Sequence, residues 1–386
     1  MTIPITHDIF KTTPPADGYD FPGDNQTVKI FPGITVFSEF MNGVRSGYSN
    51  STLLNDGHIE SQGLGSNGVM FSGGANGKII NRGSITGFAG AVMNELGNNE
   101  FDNYGSLSSN NVFAALLFAT DTTTAILKNH GTISSKLGFG VDITSNSTGG
   151  VIQNYHNITA NYGIFIDTPA SQTTTINNHT GGVIRGTTYA IDATSGGFVL
   201  HNSGLIKGNI IGFPGTHETI VNPGTIKGTI HLDGNAIFIG TGGRSGEIDA
   251  NGGNDFIKVG VGKVFVSLGA GSDIVTAGPG RDTFFFSDSL SHHQVETFKH
   301  FNPHLDSFEL SANNFVGLGL GHLTPSEFHI GAAVGFNAQI VYTPSDGALY
   351  FDPFGVLGTP IHIATINPHG PPPPIGSSST RRRLSR

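Results

Sequence analysis

The sequence has no cysteine, which excludes disulfide staples, thiolate catalysis and cysteine-ligated zinc. No stretch of about 18 apolar residues occurs, so no helix is expected to span a membrane. Charged residues make up only 12 % of the chain, about half the usual share, which argues against long amphipathic helices and coiled coils. Charge-driven disorder is excluded as well, because 37 % of residues are hydrophobic and Phe alone counts 28. The opening residues MTIPITHDIFKTTPPADGYDF lack a basic start followed by an apolar run and do not form a cleavable signal peptide. The protein is therefore expected either to stay in the cytosol or to leave by a route that does not read the N-terminus. Net charge is −9 although Arg381, Arg382, Arg383 and Arg386 crowd the end, so the body is more acidic still. An acidic body makes nucleic acid an unexpected partner and divalent cations a suitable one.

Glycine, in contrast, is abundant: 57 of 386 residues, about twice average usage. Much of it belongs to a repeat. From Leu54-Asn55-Asp56-Gly57-His58-Ile59 onward, a phrase of apolar residue, Asn, any residue, Gly, any residue, Ile or Leu recurs. Its asparagines are Asn55, Asn81, Asn103, Asn129, Asn154, Asn178, Asn202 and Asn222, at steps of 26, 22, 26, 25, 24, 24 and 20. Gly, Thr, Asn and Ser dominate the phrase, and these are poor helix interiors. Leucine-rich repeats need several fixed Leu per unit and fit poorly. The period predicts a right-handed parallel β-helix of about eight rungs, stacked at about 4.8 Å. Identical positions then lie above one another. Asn should run along one corner, bonding its neighbours or the turn backbone, while Ile, Val, Leu and Phe fill the interior. The Asn-x-Ser/Thr triplets at Asn25, Asn50, Asn146, Asn157 and Asn178 are glycan acceptors in another context, but here composition alone accounts for them.

The period then changes. Ile239, Ile248, Ile257, Val266, Val275 and Phe284 fall every nine residues. Gly253, Gly262, Gly271 and Gly280 hold the same register, as do Gly260, Gly269 and Gly278, with Asn251 in that slot one repeat earlier. Asp255, Asp273 and Asp282 stand two places before the apolar residue, and Val264 interrupts their series. This is the Gly-Gly-x-Gly-x-Asp-x-apolar-x nonapeptide of calcium-binding RTX repeats.

Over residues 239–366 the chain resembles the hemolysin-type (RTX) calcium-binding family. The resemblance implies a flattened parallel β-roll with two nonapeptides per turn and calcium held between stacked loops. Asp residues 18 apart then share a site, which ranks Asp255 with Asp273 first. Asp282 faces Val264, so its site should be weak or rely on carbonyls. The loop positions Asn251, Gly253, Gly269, Gly271, Gly278 and Gly280 complete the expected calcium ligand set, since calcium prefers hard oxygen donors. The alternative is a decayed roll that folds without metal. The segments 282–286, 295–301, 305–311, 340–342, 347–352 and 361–366 resemble the region that follows the repeats in serralysin-type proteins. The regular repeats before residue 237 resemble those of autotransporter passengers and adhesins.

The implied organisation is an N-terminal cap (1–50), a parallel β-helix (51–236), an RTX-type β-roll (237–290), a β-rich cap and export region (291–366) and a disordered Pro/Ser/Arg tail (367–386). By resemblance, the protein is secreted from a Gram-negative bacterium through a type I exporter and folds outside, where calcium completes the fold. Its Arg-rich end departs from the apolar and acidic ending usual in the family.

A second class of function stays open. Asp142, Asp167 and Asp192 recur every 25 residues, and stacked rungs would place them in a ladder at about 5 Å steps. Lys136 and Arg185 lie in flanking segments. Such a set suits a polysaccharide lyase or epimerase acting on uronates, with a base for the C5 proton and positive charge to neutralise the carboxylate. The bland alternative is that each Asp ends a strand and bonds the turn backbone. No His-Glu-x-x-His or Asp-Pro-His-Asp motif is present, so neither serralysin protease nor epimerase residues carry over. The main expectation is a non-enzymatic extracellular protein that binds calcium and a polysaccharide or cell surface.

Overall fold

The computed structural model describes residues 1–95, 99–110, 114–118, 125–144, 149–290, 294–367 and 375–378. Strands account for 52 % of it and helix for 1 %, so the class is all-β: a solenoid of about 12 turns built from stacked parallel sheets. The chain divides into two units, Met1–Thr216 with Gly224–Gly228, and His217–Pro223 with Thr229–Arg386.

In the first unit, short strands repeat with one face in and one face out. Thr52–Asn55, Lys78–Asn81, Glu100–Asn103, Ala125–Asn129, Gly150–Asn154, Thr173–Asn178 and Gly197–Asn202 pair in parallel, each on the next. Each sends one large apolar residue inward, and Leu53, Ile79, Phe101, Leu127, Ile152, Ile176 and Leu200 form a column at 0–1 % exposure. A second sheet runs from His58–Ser61 through Ser84–Gly87, Ser106–Ser109 and Thr132–Ser135 to Asn157–Ile166 and Val183–Ala193. Period-two alternation is the sequence cause: only that pattern lets a strand bury one face while the other meets water.

The segment expected as an N-terminal cap carries rungs of its own. Thr2–Ile5 pairs with Thr27–Ile30, which pairs with Thr52–Asn55. These rungs escaped the repeat search because Ile5 and Ile30 stand where later rungs carry Asn: Ile30 aligns with Asn55.

The Asn column forms as expected. Asn55, Asn81, Asn103, Asn129, Asn154, Asn178 and Asn202 are all buried. Each Nδ2 donates to the Oδ1 of the next Asn at 2.8–2.9 Å. The second amide proton goes to a backbone carbonyl, as from Asn129 to Asn157 O at 3.1 Å. Asn178, one of the glycan triplets, is therefore locked inside. The residue after each Asn builds an outer ladder in which Tyr104, His130, Tyr155 and His179 stack nearly parallel at 4.9, 4.3 and 4.1 Å.

In the second unit, Ile237–Ile239, Phe256–Lys258, Ile274–Thr276 and Glu296–Lys299 stack in one sheet. Ile248–Gly252, Phe265–Leu268, Thr283–Phe286 and Ser307–Ser311 stack in the other. Ile257 pairs with Val275 and Val266 with Phe284, so two nonapeptides make one rung. Beyond the repeats, Gln339–Thr343, Ala348–Asp352 and Ile361–Asn367 form an antiparallel set, and the last pairs in parallel with Glu296–Lys299. The tail was expected to be without structure from residue 367, yet Ile375–Ser378 adds as a parallel strand to Ser307–Ser311. It comes after the run of prolines in the sequence, which cannot donate to a ladder, so its own N–H groups are able to pair. Arg381–Arg383 and Arg386 lie outside the described residues. Among the described residues, no helix is long and apolar enough to cross a membrane.

Candidate cation site and a second carboxylate group

In the second unit, acidic residues stand where the chain enters successive strands of one sheet, Asp255 and Asp273 just before theirs and Glu296 as the first residue of its own. Asp255, Asp273 and Glu296 occupy this position ahead of the paired residues Phe256, Ile274 and Thr297. All three are buried. The column is tied together by backbone donors: Ala236 N–H to Asp255 Oδ1 at 2.7 Å, Asp255 N–H to Asp273 Oδ1 at 2.9 Å, and Asp273 N–H to Glu296 Oε2 at 2.7 Å. Each carboxylate thus caps the rung before it. The other oxygens of Asp255 and Asp273, both Oδ2, are buried without a hydrogen-bond partner.

Such an arrangement is electrostatically costly. Burial pushes Asp255 up to about 8, opposed by the Ala236 N–H and reinforced by the charges of Asp273, Glu218 and Asp233. Burial likewise raises Asp273 and Glu296, and the charge of Asp273 raises Glu296 further. Stacked carboxylates about one strand spacing apart cannot all ionise unless a cation compensates them.

The loops above the column need glycine. Gly253 and Gly271 have φ of 122° and 139°, a region open to glycine and costly for other residues. A Cβ at Gly271 would sit 1.6 Å from Gly253 O, and one at Gly269 would sit 1.7 Å from Asn251 O. Asn251 itself is left-handed at φ 48°, donates Nδ2 to Leu232 O at 3.1 Å and is exposed.

Asp282 differs. Its Oδ1 accepts Val264 N–H and its Oδ2 accepts Gly278 N–H, both at 3.1 Å. Burial raises it only to about 6. Asp306 repeats the pattern, accepting Asp282 N–H at 3.0 Å and Asn302 N–H at 2.8 Å. Here both oxygens are used. Beside this column, Gly280 and Gly278 pack on Gly262 O and Gly260 O, where a Cβ would lie at 1.8 and 2.1 Å.

The donor set of the first column fits calcium, a hard cation that takes carboxylate and carbonyl oxygens. Asp255 and Asp273 supply buried oxygens that nothing else engages, and the glycine turns supply carbonyls. Among the described residues no group of three or more His, Asp or Glu side chains converges on a metal position, so a site here depends on the Asp pair with backbone oxygens. Glu296 was missed by sequence reasoning. It precedes Thr297 as Asp273 precedes the paired Ile274, but 23 residues on rather than 18, outside the nine-residue register.

The expected ladder of Asp142, Asp167 and Asp192 is not formed. Asp142 pairs with Phe165, and Phe165 with Asp192. Asp167 lies two residues further along its rung, where its Oδ1 accepts the Ser195 hydroxyl at 2.6 Å. Equal sequence steps conceal unequal rungs: the pairing step is 23 residues from Asp142 to Phe165 and 27 from Phe165 to Asp192, whereas the aspartates recur every 25. Burial, with a smaller contribution from the Asp167 charge, pushes Asp142 up to about 7. Burial also raises Asp192. Lys136 and Arg185 are exposed, and the described ion pairs join neither of them to these carboxylates. Comparison with protein-family models, with curated proteins and with solved structures finds no match to this chain.

Proposed function

We propose that this is a calcium-binding repeat protein of RTX type, secreted by a type I route, whose second unit is completed by calcium outside the cell. Its role is binding or adhesion rather than catalysis. The observation that carries this is the pair of buried, unpartnered Oδ2 atoms on Asp255 and Asp273 beneath glycine turns. Bound there, calcium would compensate the stacked charge and so convert binding energy into folding energy. The chain's own contribution is to hold both carboxylates by backbone N–H groups, leaving one oxygen of each available. Asp282, with both oxygens already engaged, contributes structure rather than a second strong site.

Thermal unfolding in millimolar calcium and in chelator tests the proposal. A calcium-dependent rise in Tm that Asp273→Ala removes supports it, and equal melting in both conditions opposes it. The uronate lyase or epimerase reading is weaker on this geometry, since Phe165 stands between Asp142 and Asp192 and the neighbouring basic residues make no ion pair with them. Release of unsaturated uronates from an acidic polysaccharide would revive it.

A further inference from the structure

The first unit carries a face that the calcium proposal does not use. Phe139, Tyr162 and Tyr189 are register partners on three successive rungs. Their rings lie 5.1 and 5.8 Å apart, centroid to centroid. Phe165 stacks on Phe139 at 4.5 Å and meets Tyr162 edge-on at 6.2 Å. All four rings are half-buried, so each keeps part of its surface in solvent. The next column outward is Asp142, Phe165 and Asp192, with Asp167 beside it. Asp142 Oδ1 is buried and has no hydrogen-bond partner. Gly140 and Gly163 lie within these strands, where a Cβ would sit 2.6 and 2.5 Å from the carbonyls of Gly163 and Ala190.

We propose that this aromatic and carboxyl face binds a neutral polysaccharide chain, with the rings of Phe139, Tyr162, Phe165 and Tyr189 taking sugar C–H faces and the half-buried carboxyl of Asp142 taking a hydroxyl. Rings offer a rigid apolar surface at low entropic cost, and carboxyl oxygens orient ligand hydroxyls. Among the described residues no basic side chain is paired with these carboxyls, so the face offers nothing to neutralise a uronate, which favours a neutral glycan. The face repeats from rung to rung at strand spacing, which suits a linear polymer lying across rungs more than a small molecule. The inference rests on the binding role proposed above and names its ligand class. It does not depend on calcium at the second unit.

Native electrophoresis through gels containing a neutral β-glucan, a galactomannan or polygalacturonate tests it, run in calcium and again in chelator. Retardation by a neutral polymer is expected, with affinity falling about tenfold or more in Tyr162→Ala. Tyr162→Phe should retain retardation, and Asp142→Asn should weaken it without changing Tm in proportion. If Tyr162→Ala loses fold, Tyr189→Ala serves as the second variant, with circular dichroism as the check. No retardation by either neutral polymer, equal retardation of wild type and the folded alanine variant, or strongest retardation by polygalacturonate overturns the proposal. The calcium-dependent melt is read separately, so failure of this site and failure of the calcium proposal give different results.

Discussion

Both units stack a polar side chain from successive rungs into a buried column, and the two columns solve the same problem with opposite completeness. In the first unit the column is Asn. An amide carries donors and an acceptor, so each Asn from Asn55 to Asn178 donates to the next and also reaches a carbonyl. In the second unit the first column is Asp255, Asp273 and Glu296. An ionised carboxylate only accepts, so it takes one backbone N–H from the rung before and leaves a buried oxygen unmet. Amides make a column that is finished by folding. Carboxylates make one that waits for a proton or a cation.

The largest expected effect comes from crossing the two designs. Asn129→Asp removes the donors to Asn154 and Asn157 and buries a charge in the middle of the amide ladder. It should cost about 3–5 kcal/mol, equally with and without calcium, in denaturant unfolding. Next is calcium itself: at about a hundredfold excess over Kd it should stabilise the second unit by about 2.7 kcal/mol, read as a Tm shift against chelator.

A pH series sharpens the comparison. Asp255, Asp273 and Glu296 are all raised in the folded state, so they hold protons there that the unfolded chain releases. In chelator, their contribution is fully present below the ordinary carboxyl range, near pH 4, and is lost as pH rises through about 7 and 8 for Asp273 and Asp255 to about 9 for Glu296. Calcium should reverse that loss above neutrality, because it replaces the protons. The smallest effect is expected for Asp282→Asn, which keeps one accepting oxygen and gives up one backbone N–H bond. It should cost about 1 kcal/mol and leave the calcium response intact, measured by the same melts.

Much of this was legible in the residues. The Asn-x-Gly phrase located the corner ladder, and the nine-residue register located Asp255 and Asp273 on successive rungs. The rest was hidden where period and geometry part. The first rungs carry Ile at the ladder position, so they show no phrase. Glu296 follows a longer loop and falls out of register. Asp142, Asp167 and Asp192 keep a constant step of 25 while the pairing step is 23 and then 27, which puts Asp167 two residues off the column. Chain spacing reports stacking only while rung length is constant, and here the pairing step changes from 23 to 27 residues between successive rungs. The ring ladder from Tyr104 to His179 was legible in principle, one residue after each repeat Asn, but single-residue columns show their character only once stacked.

The most direct measurement is the melting of Asp273→Asn beside wild type, in calcium and in chelator at pH 7.5. This change makes one member of the carboxylate column resemble the amide column. The account predicts that the variant melts higher than wild type in chelator and gains nothing from calcium. A calcium-dependent rise that survives in Asp273→Asn, or a wild type that melts alike in both conditions, would contradict it.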